Sequence, residues 1–398
     1  MAGARIHRTK RTVPTTRRAP GGRRRPTRSW LATVAPGTGR EPMPMTASGS
    51  AVQRHAHASG LHALSSALAN LHRDALRASG DEEAQVRLSV VNIVAACNDA
   101  TLATRAADTV VGIAARHPAR ALVIVGDPTA PLHIESDISL VETGVGRQYV
   151  ELIRLEIGGE PAYHLSSIVM PLLIPDIPLH LWLVGAPPLT QAFRADAVAM
   201  CDRVILDTGA YDDAAETLQM IAREFDVHGA SLSLNDIAWQ RTRPWREAVA
   251  IAFDGPDVRP WLHRVVGVEI VSAGATPSAD AWLLAGWLAS RLTWPASGGP
   301  AIGVSSIPAA GASVGDLVAV RIRCEHARHS ARVRLERRGA SLVTSIHIDD
   351  GVVATGTAAL PAWDEGQLIA RLMSEATRDA LYSQAVARAA QLSAQHEP

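Results

Sequence analysis

The chain has 398 residues, with 39 basic and 39 acidic side chains and a formal net charge of zero; at roughly 150 residues per domain the length suggests two or three domains. The balance conceals an asymmetry, because eleven basic residues and no acidic one precede Glu41 and the remainder carries a formal charge of −11, which disfavours a nucleic-acid-binding body. Lys10 is the only lysine, so the fold holds no Walker A lysine, kinase-type ATP lysine or Schiff-base lysine.

Residues 1–45 mix Arg, Pro, Thr and Gly without apolar periodicity and read as a disordered basic leader. The run Trp30 to Ala35 is too short for the apolar part of a secretory signal. Leu61, Leu64, Leu68, Leu71 and Leu76 then recur at helical spacing. A β-branched run over 87–96 predicts a strand, Asn98-Asp99-Ala100-Thr101 opens a helix that runs to His117-Pro118, and 121–127 predicts a second buried strand. Strand–helix–strand is the grammar of a parallel α/β sheet. Residues 132–141 and 150–157 alternate as strands of a mixed sheet would. A helix over 163–173 leads through Pro175-Asp176-Ile177-Pro178 into a strand at 179–184, then a helix, a strand at 203–208 and a helix over 213–225. The stretch 168–189 is long enough to resemble a membrane span. However, Pro171, Pro175, Pro178, Pro187 and Pro188 interrupt it, and each internal proline removes a helix hydrogen bond. No membrane association and a cytoplasmic location are therefore expected.

The first domain, 60–230, is expected to be α/β, a mixed or parallel sheet with flanking helices. The second, 235–395, is expected to be helical and α+β with an antiparallel meander. Residues 235–295 read as mostly helical and hold six of the nine tryptophans, with a strand at 265–271. The Gly/Pro/Ser-rich stretch 295–315 reads as a long loop. Strands at 317–323, 332–337, 342–348 and 352–355 form the meander, with Asp349-Asp350-Gly351 as a turn. Helices over 364–378 and 379–394 end the chain.

Little in this pattern is catalytic. Gly311-Ala312-Ser313-Val314-Gly315 matches G-x-S-x-G, but a nucleophile elbow needs a strand before the serine and a helix after it, and here the match reads as a glycine loop. Cys324, His326 and His329 offer three potential metal ligands at a strand end, yet Arg323 and Arg328 adjoin them and they read as surface residues. His55 and His57 carry no signal. Gly144-Val145-Gly146 lacks the third glycine of a dinucleotide fingerprint. Cys97, Cys201 and Cys324 are over a hundred residues apart with no C-x-x-C, so the spacing indicates neither a cysteine zinc site nor a disulfide framework and leaves pairing in the fold open. No catalytic, cofactor or metal residues are assigned. Asp127, Asp176 and Asp207 fall at strand ends or turns, where an α/β fold could bind a sugar phosphate or nucleotide. That defines the alternative reading, an enzyme or sensor. The tryptophans suggest an interface instead, since large rigid aromatics bury much area there at small entropic cost. Trp239 and Trp245 flank Arg241 and Arg243, with Arg246 beyond. These five form the candidate partner interface.

Two segments carry a family resemblance. Pro171-Leu172-Leu173-Ile174-Pro175-Asp176-Ile177-Pro178-Leu179-His180-Leu181-Trp182-Leu183 and Asp236-Ile237-Ala238-Trp239-Gln240-Arg241-Thr242-Arg243-Pro244-Trp245-Arg246 resemble the glucose-6-phosphate dehydrogenase assembly protein OpcA family. The family usually has two aromatics where this chain has Trp182-Leu183. The strand at 87–96, Arg116-His117-Pro118-Ala119-Arg120 and Arg203-Val204-Ile205-Leu206-Asp207 agree in order, and the likeness covers about residues 60–390. It implies a non-catalytic assembly factor or allosteric activator of glucose-6-phosphate dehydrogenase, supporting NADPH production in the oxidative pentose phosphate pathway. In cyanobacterial members of the family, activation is linked to thiol redox state.

Overall fold

The structure, a computed structural model, describes residues 53–79, 89–114, 117–143, 148–187, 200–229, 232–295, 297–308, 311–375 and 378–395. The basic leader, Gly144-Val145-Gly146 and most of the helix expected after Val184 lie outside them.

The first sheet opens with β1 (Gln53–Ser59) and the helix α1 (Leu61–Ser79), which buries Leu64, Leu68 and Leu71 along one face. β1 is an addition to the expected elements: its polar, histidine-bearing sequence pairs antiparallel with β4 (His133–Thr143) at the sheet edge. β2 (Val91–Cys97), α2 (Ala100–Ala114) and β3 (Ala119–Asp127) form the expected parallel unit. Asp99 accepts the Leu102 N–H at 2.8 Å and opens α2. β5 (Gln148–Gly158) runs antiparallel to β4 and parallel to β3. The helix expected over 163–173 is broken. Two proline-initiated 3₁₀ turns, Glu160–Tyr163 and Met170–Leu172, flank a short α3 (Leu165–Val169), because neither Pro161 nor Pro171 can donate to a continuous helical ladder.

β6 (Leu179–Leu183) and β7 (Arg203–Leu206) are buried throughout, as central parallel strands covered on both faces must be. α4 (Ala214–His228), capped by Asp213, connects β7 to β8 (Leu234–Asp236). The sheet order is β1-β4-β5-β3-β2-β6-β7-β8. Its strands from β5 to β8 are all parallel.

Two helices follow at once, α5 (Ile237–Arg241) and α6 (Arg243–Ala252), and then β9 (Val265–Ala273) and α7 (Ala279–Arg291). The loop expected over 295–315 contains a strand, β10 (Ala301–Ile307), parallel to β9 at the edge of the second sheet. Only Val304 of β10 is buried, so the alternation that betrays a strand is faint. β11 (Leu317–His326), β12 (His329–Arg338), β13 (Ser341–Ile348) and β14 (Gly351–Ala359) form the expected meander, giving the order β10-β9-β11-β12-β13-β14. α8 (Glu365–Ser374) and α9 (Ala380–Ala394) complete the described chain.

The observed architecture is α/β followed by α+β, and one buried cluster joins the two sheets, from Leu122 and Leu183 through Trp239 to Leu284 and Val333. α8 returns to the first sheet, where Leu368, Ile369 and Leu372 pack with α2, Trp182 and Ile237. α7 and α9 approach so closely at Gly286 that a Cβ there would collide with the Ala385 carbonyl and the Ala389 backbone. No helix among the described residues is long and apolar enough to cross a membrane.

Candidate functional site

The strand β8 ends on Asp236, and that carboxylate organises the turn into α5. It is wholly buried. Its Oδ1 accepts the N–H groups of Ala238 at 2.9 Å and Thr208 at 3.1 Å, and its Oδ2 accepts the hydroxyls of Thr208 at 2.8 Å and Tyr382 at 3.1 Å. An aspartate is favoured because a helix start leaves orphan N–H groups that a short carboxylate can reach. Burial, and then the charge of Asp207, push its pKa from 3.8 up to about 7 against the pull of those hydrogen bonds.

Asp207, just beyond β7, caps its own turn by accepting the Gly209 N–H at 2.9 Å. It also takes Arg241 in a two-bond fork, Nη1 to Oδ2 at 2.7 Å and Nη2 to Oδ1 at 2.8 Å. The same guanidinium reaches Asp280 of α7, through Nε at 3.1 Å and Nη2 at 3.0 Å. Only a planar fork of donors can serve two carboxylates in this way. Burial alone would lower the Arg241 pKa, but Asp280 and Asp207 outweigh it and hold it above the ordinary value. Burial raises Asp280, with Arg241 offsetting part of the rise.

The five expected interface residues are brought together, but largely inward. Trp239 is 2% exposed and donates its indole N–H to Asp379 at 2.7 Å. Trp245 is 3% exposed and packs in the core. Arg246 lies over the Trp239 ring, 3.4 Å from its centre, and bonds the Thr242 hydroxyl and the Trp239 carbonyl. Burial draws the Arg246 pKa down to about 10. Arg243 is more open than Arg241, with 39% against 32% of its side chain exposed, and pairs with Glu247 and Glu375, each at 2.8 Å. Gln240, which sequence reasoning passed over, donates to the other oxygen of Glu375 at 2.6 Å. The segment 236–246 therefore fastens the first sheet, α7, α8 and α9 to one another.

The strand-end aspartates of the alternative reading are dispersed. Asp127 is occupied by the Thr129 N–H and hydroxyl. Asp127 and Asp207 are separated by β2 and β6, about 14 Å at the usual strand spacing. Asp176 precedes β6 and so lies at the opposite end of the sheet, in a turn with φ of 62°. Ser313 sits in the loop between β10 and β11, where its N–H bonds Asp316. Cys324 is buried, and His329, at the β11–β12 turn, pairs with Asp349 at 2.8 Å. No group of three or more metal-ligating side chains occurs among the described residues. Burial pushes the thiols of Cys97, Cys201 and Cys324 each up to about 12, so none is a ready thiolate.

Comparison with known families matches residues 110–223 to the glucose-6-phosphate dehydrogenase subunit N-terminal domain and residues 232–386 to the corresponding C-terminal domain. Three cyanobacterial relatives share the name "Putative OxPP cycle protein OpcA". The Nostoc punctiforme protein is 31% identical over 130 residues, 33% of this chain and 27% of the relative. The Synechocystis protein is 26% identical over 144 residues, 36% of this chain and 30% of the relative. The Synechococcus elongatus protein is 31% identical over 131 residues, 33% of this chain and 28% of the relative. Each matched stretch spans under a third of its relative's length.

Proposed function

We propose that this chain, which belongs to the OpcA family, is a non-catalytic partner that promotes the assembly or activity of glucose-6-phosphate dehydrogenase in the oxidative pentose phosphate cycle. The observation that carries the reading is that both halves of the fold match domains described as parts of a dehydrogenase subunit. The chemistry of the strand ends supports it. The carboxylates there are committed to caps and to Arg241, an arrangement that fixes structure rather than one poised to exchange protons with a substrate. We infer that the contact face is the exposed side of α6 around Arg243, whose guanidinium, 39% exposed and already paired with Glu247 and Glu375, would extend that ion-pair network to a partner's carboxylates.

The experiment is reconstitution of the full chain with the cognate dehydrogenase. Co-purification, together with a rise in dehydrogenase activity or a change in its oligomeric state, is the expected result, with no dehydrogenase activity from the chain alone. A dehydrogenase whose kinetics and assembly are both indifferent to the chain overturns the reading.

A further inference from the structure

The opposite end of the parallel sheet is built differently. The N-terminal ends of β2, β6, β7 and β8 converge on a cavity of about 870 Å³ whose walls include Val91, Pro178, His180, Arg203, Ser233 and Arg378. That size falls in the range of metabolite sites, roughly 300–1,000 Å³.

Arg203, the first residue of β7, is 3% exposed, and its Nε and Nη1 have no acceptor among the described residues. Among the described residues it makes one hydrogen bond, from Nη2 to the Glu375 carbonyl at 2.8 Å. Buried guanidinium N–H groups without acceptors are costly, and such groups are normally hydrogen-bonded. The neighbouring acids, which also line the cavity, give those nitrogens no acceptor, although the charge of Glu375 offsets part of the cost of burying Arg203. Asp202 accepts the Leu179 N–H at 2.8 Å, and both carboxylate oxygens of Glu375 are held by Gln240 and Arg243. His180 adds a second unsatisfied atom, Nδ1. Burial first, and then the charge of Arg203, draw its pKa from 6.5 down to about 4, so the ring is neutral and adds no second positive charge beside the guanidinium. Arg378 stands exposed at the cavity wall. Cys201 also lines the space, but burial and Asp202 keep it a thiol.

We propose that this cavity is a binding site for the phosphate or carboxylate group of a small anionic metabolite, with Arg203 as the buried anchor, His180 as a neutral hydrogen-bonding wall and Arg378 at the mouth. An oxyanion supplies the acceptors that Arg203 lacks, and arginine is the side chain whose donor fork fits such groups. The site stands at the end of the sheet where α/β proteins seldom bind ligands, so analogy from the fold does not point to it.

The test titrates the full chain with inorganic phosphate and, separately, with citrate, following heat by calorimetry and the thermal midpoint. Saturable binding of one probe with a raised midpoint is expected, and the preferred probe tells phosphate from carboxylate. Arg203→Met should abolish the response. Arg378→Gln should weaken it by roughly tenfold, as loss of one charge-assisted contact does. Arg321→Gln, on the second sheet and paired with Glu269, should bind as the parent does. Silence toward both probes, or binding that survives Arg203→Met, overturns the proposal. If Arg203→Met does not fold, Arg378→Gln decides, and undiminished affinity in that variant counts against the site. The titration is independent of the dehydrogenase partnership, so either idea can fail without the other.

Discussion

The two ends of the parallel sheet carry similar residue types and solve opposite problems. At the C-terminal ends, Arg241 is shared between Asp207 and Asp280, and Asp236 has both carboxylate oxygens hydrogen-bonded. At the N-terminal ends, Arg203 is less exposed to solvent than Arg241 yet keeps two nitrogens without acceptors among the described residues. Charge is thus used to fasten the fold at one end and is held in reserve at the other. Buried charge that is fully paired is expensive to break, whereas buried charge left unpaired is expensive to keep. The contrast suggests that the first end serves stability and the second serves something the chain binds.

The largest effect expected from this contrast is at Arg241. Arg241→Ala strands Asp280 in the core and removes the fork on Asp207, and breaking a buried pair by deleting one partner costs about 3–5 kcal/mol. Chemical denaturation measures it directly. A loss near that of an ordinary surface substitution would mean that the clasp does not hold the sheets together.

Asp236 comes next, through its pH dependence. Its folded pKa of about 7 lies above its ordinary 3.8, so the folded state holds the extra proton and stability falls as pH rises between those values. Asp236→Asn cannot titrate, and the Thr208 and Tyr382 hydroxyls that donate to Oδ2 can turn to accept from the amide. The variant should therefore lose its disadvantage relative to the parent on going from about pH 5 to about pH 7, by about 2 kcal/mol. Denaturation curves of both proteins at the two pH values read the change. Parallel pH profiles would show that Asp236 is already ionised in the fold at low pH.

How much of this was legible follows from distance along the chain. β2, β3, β6 and β7 show in the sequence because strands buried on both faces need unbroken apolar runs. The meander shows because each strand alternates and a turn separates the last two. β1 and β10 did not show: both are edge strands whose polar or small side chains carry little of the core. Helices α5 and α6 were legible as helix and as tryptophan-rich, but burial was not. Whether Trp239 faces a partner or the core depends on Asp379, 140 residues away, and Arg241 meets carboxylates 34 and 39 residues away in opposite directions. No local pattern encodes such pairings. Arg203 was read only as the start of an apolar strand, and nothing in the sequence says that its partners would be missing.

Arg203→Met sharpens the comparison further. Methionine fills similar space without a desolvated charge, and replacing buried charge by an apolar side chain is often neutral or stabilising. We expect a stability change within about 1 kcal/mol in either direction, since one hydrogen bond to the Glu375 carbonyl is lost while the desolvation cost is relieved. Set beside Arg241→Ala, this is the clearest separation of a fastening charge from a waiting one. A loss as large as that at Arg241 would place Arg203 among the structural residues.

The smallest effect on stability belongs to Arg243, where the proposed partner contact is tested. Its side chain is 39% exposed, and its two ion pairs tie it to Glu247 on its own helix and to Glu375 beyond α8. Pairs this open to solvent are screened and hold two long side chains in place at an entropic cost, so Arg243→Gln should lower stability by less than about 1 kcal/mol. Glu375 keeps its bond from Gln240 in the variant, which limits any spread of the change into the core. Trp245→Ala is no substitute for this experiment. It would leave a cavity in the core, at a cost of about 3–5 kcal/mol, and would confuse unfolding with loss of contact. With the fold preserved, Arg243→Gln should weaken the chain's effect on the dehydrogenase in the reconstituted assay, chiefly by faster dissociation if the guanidinium is fully covered in the complex. Activation and binding equal to the parent's would move the contact face away from α6.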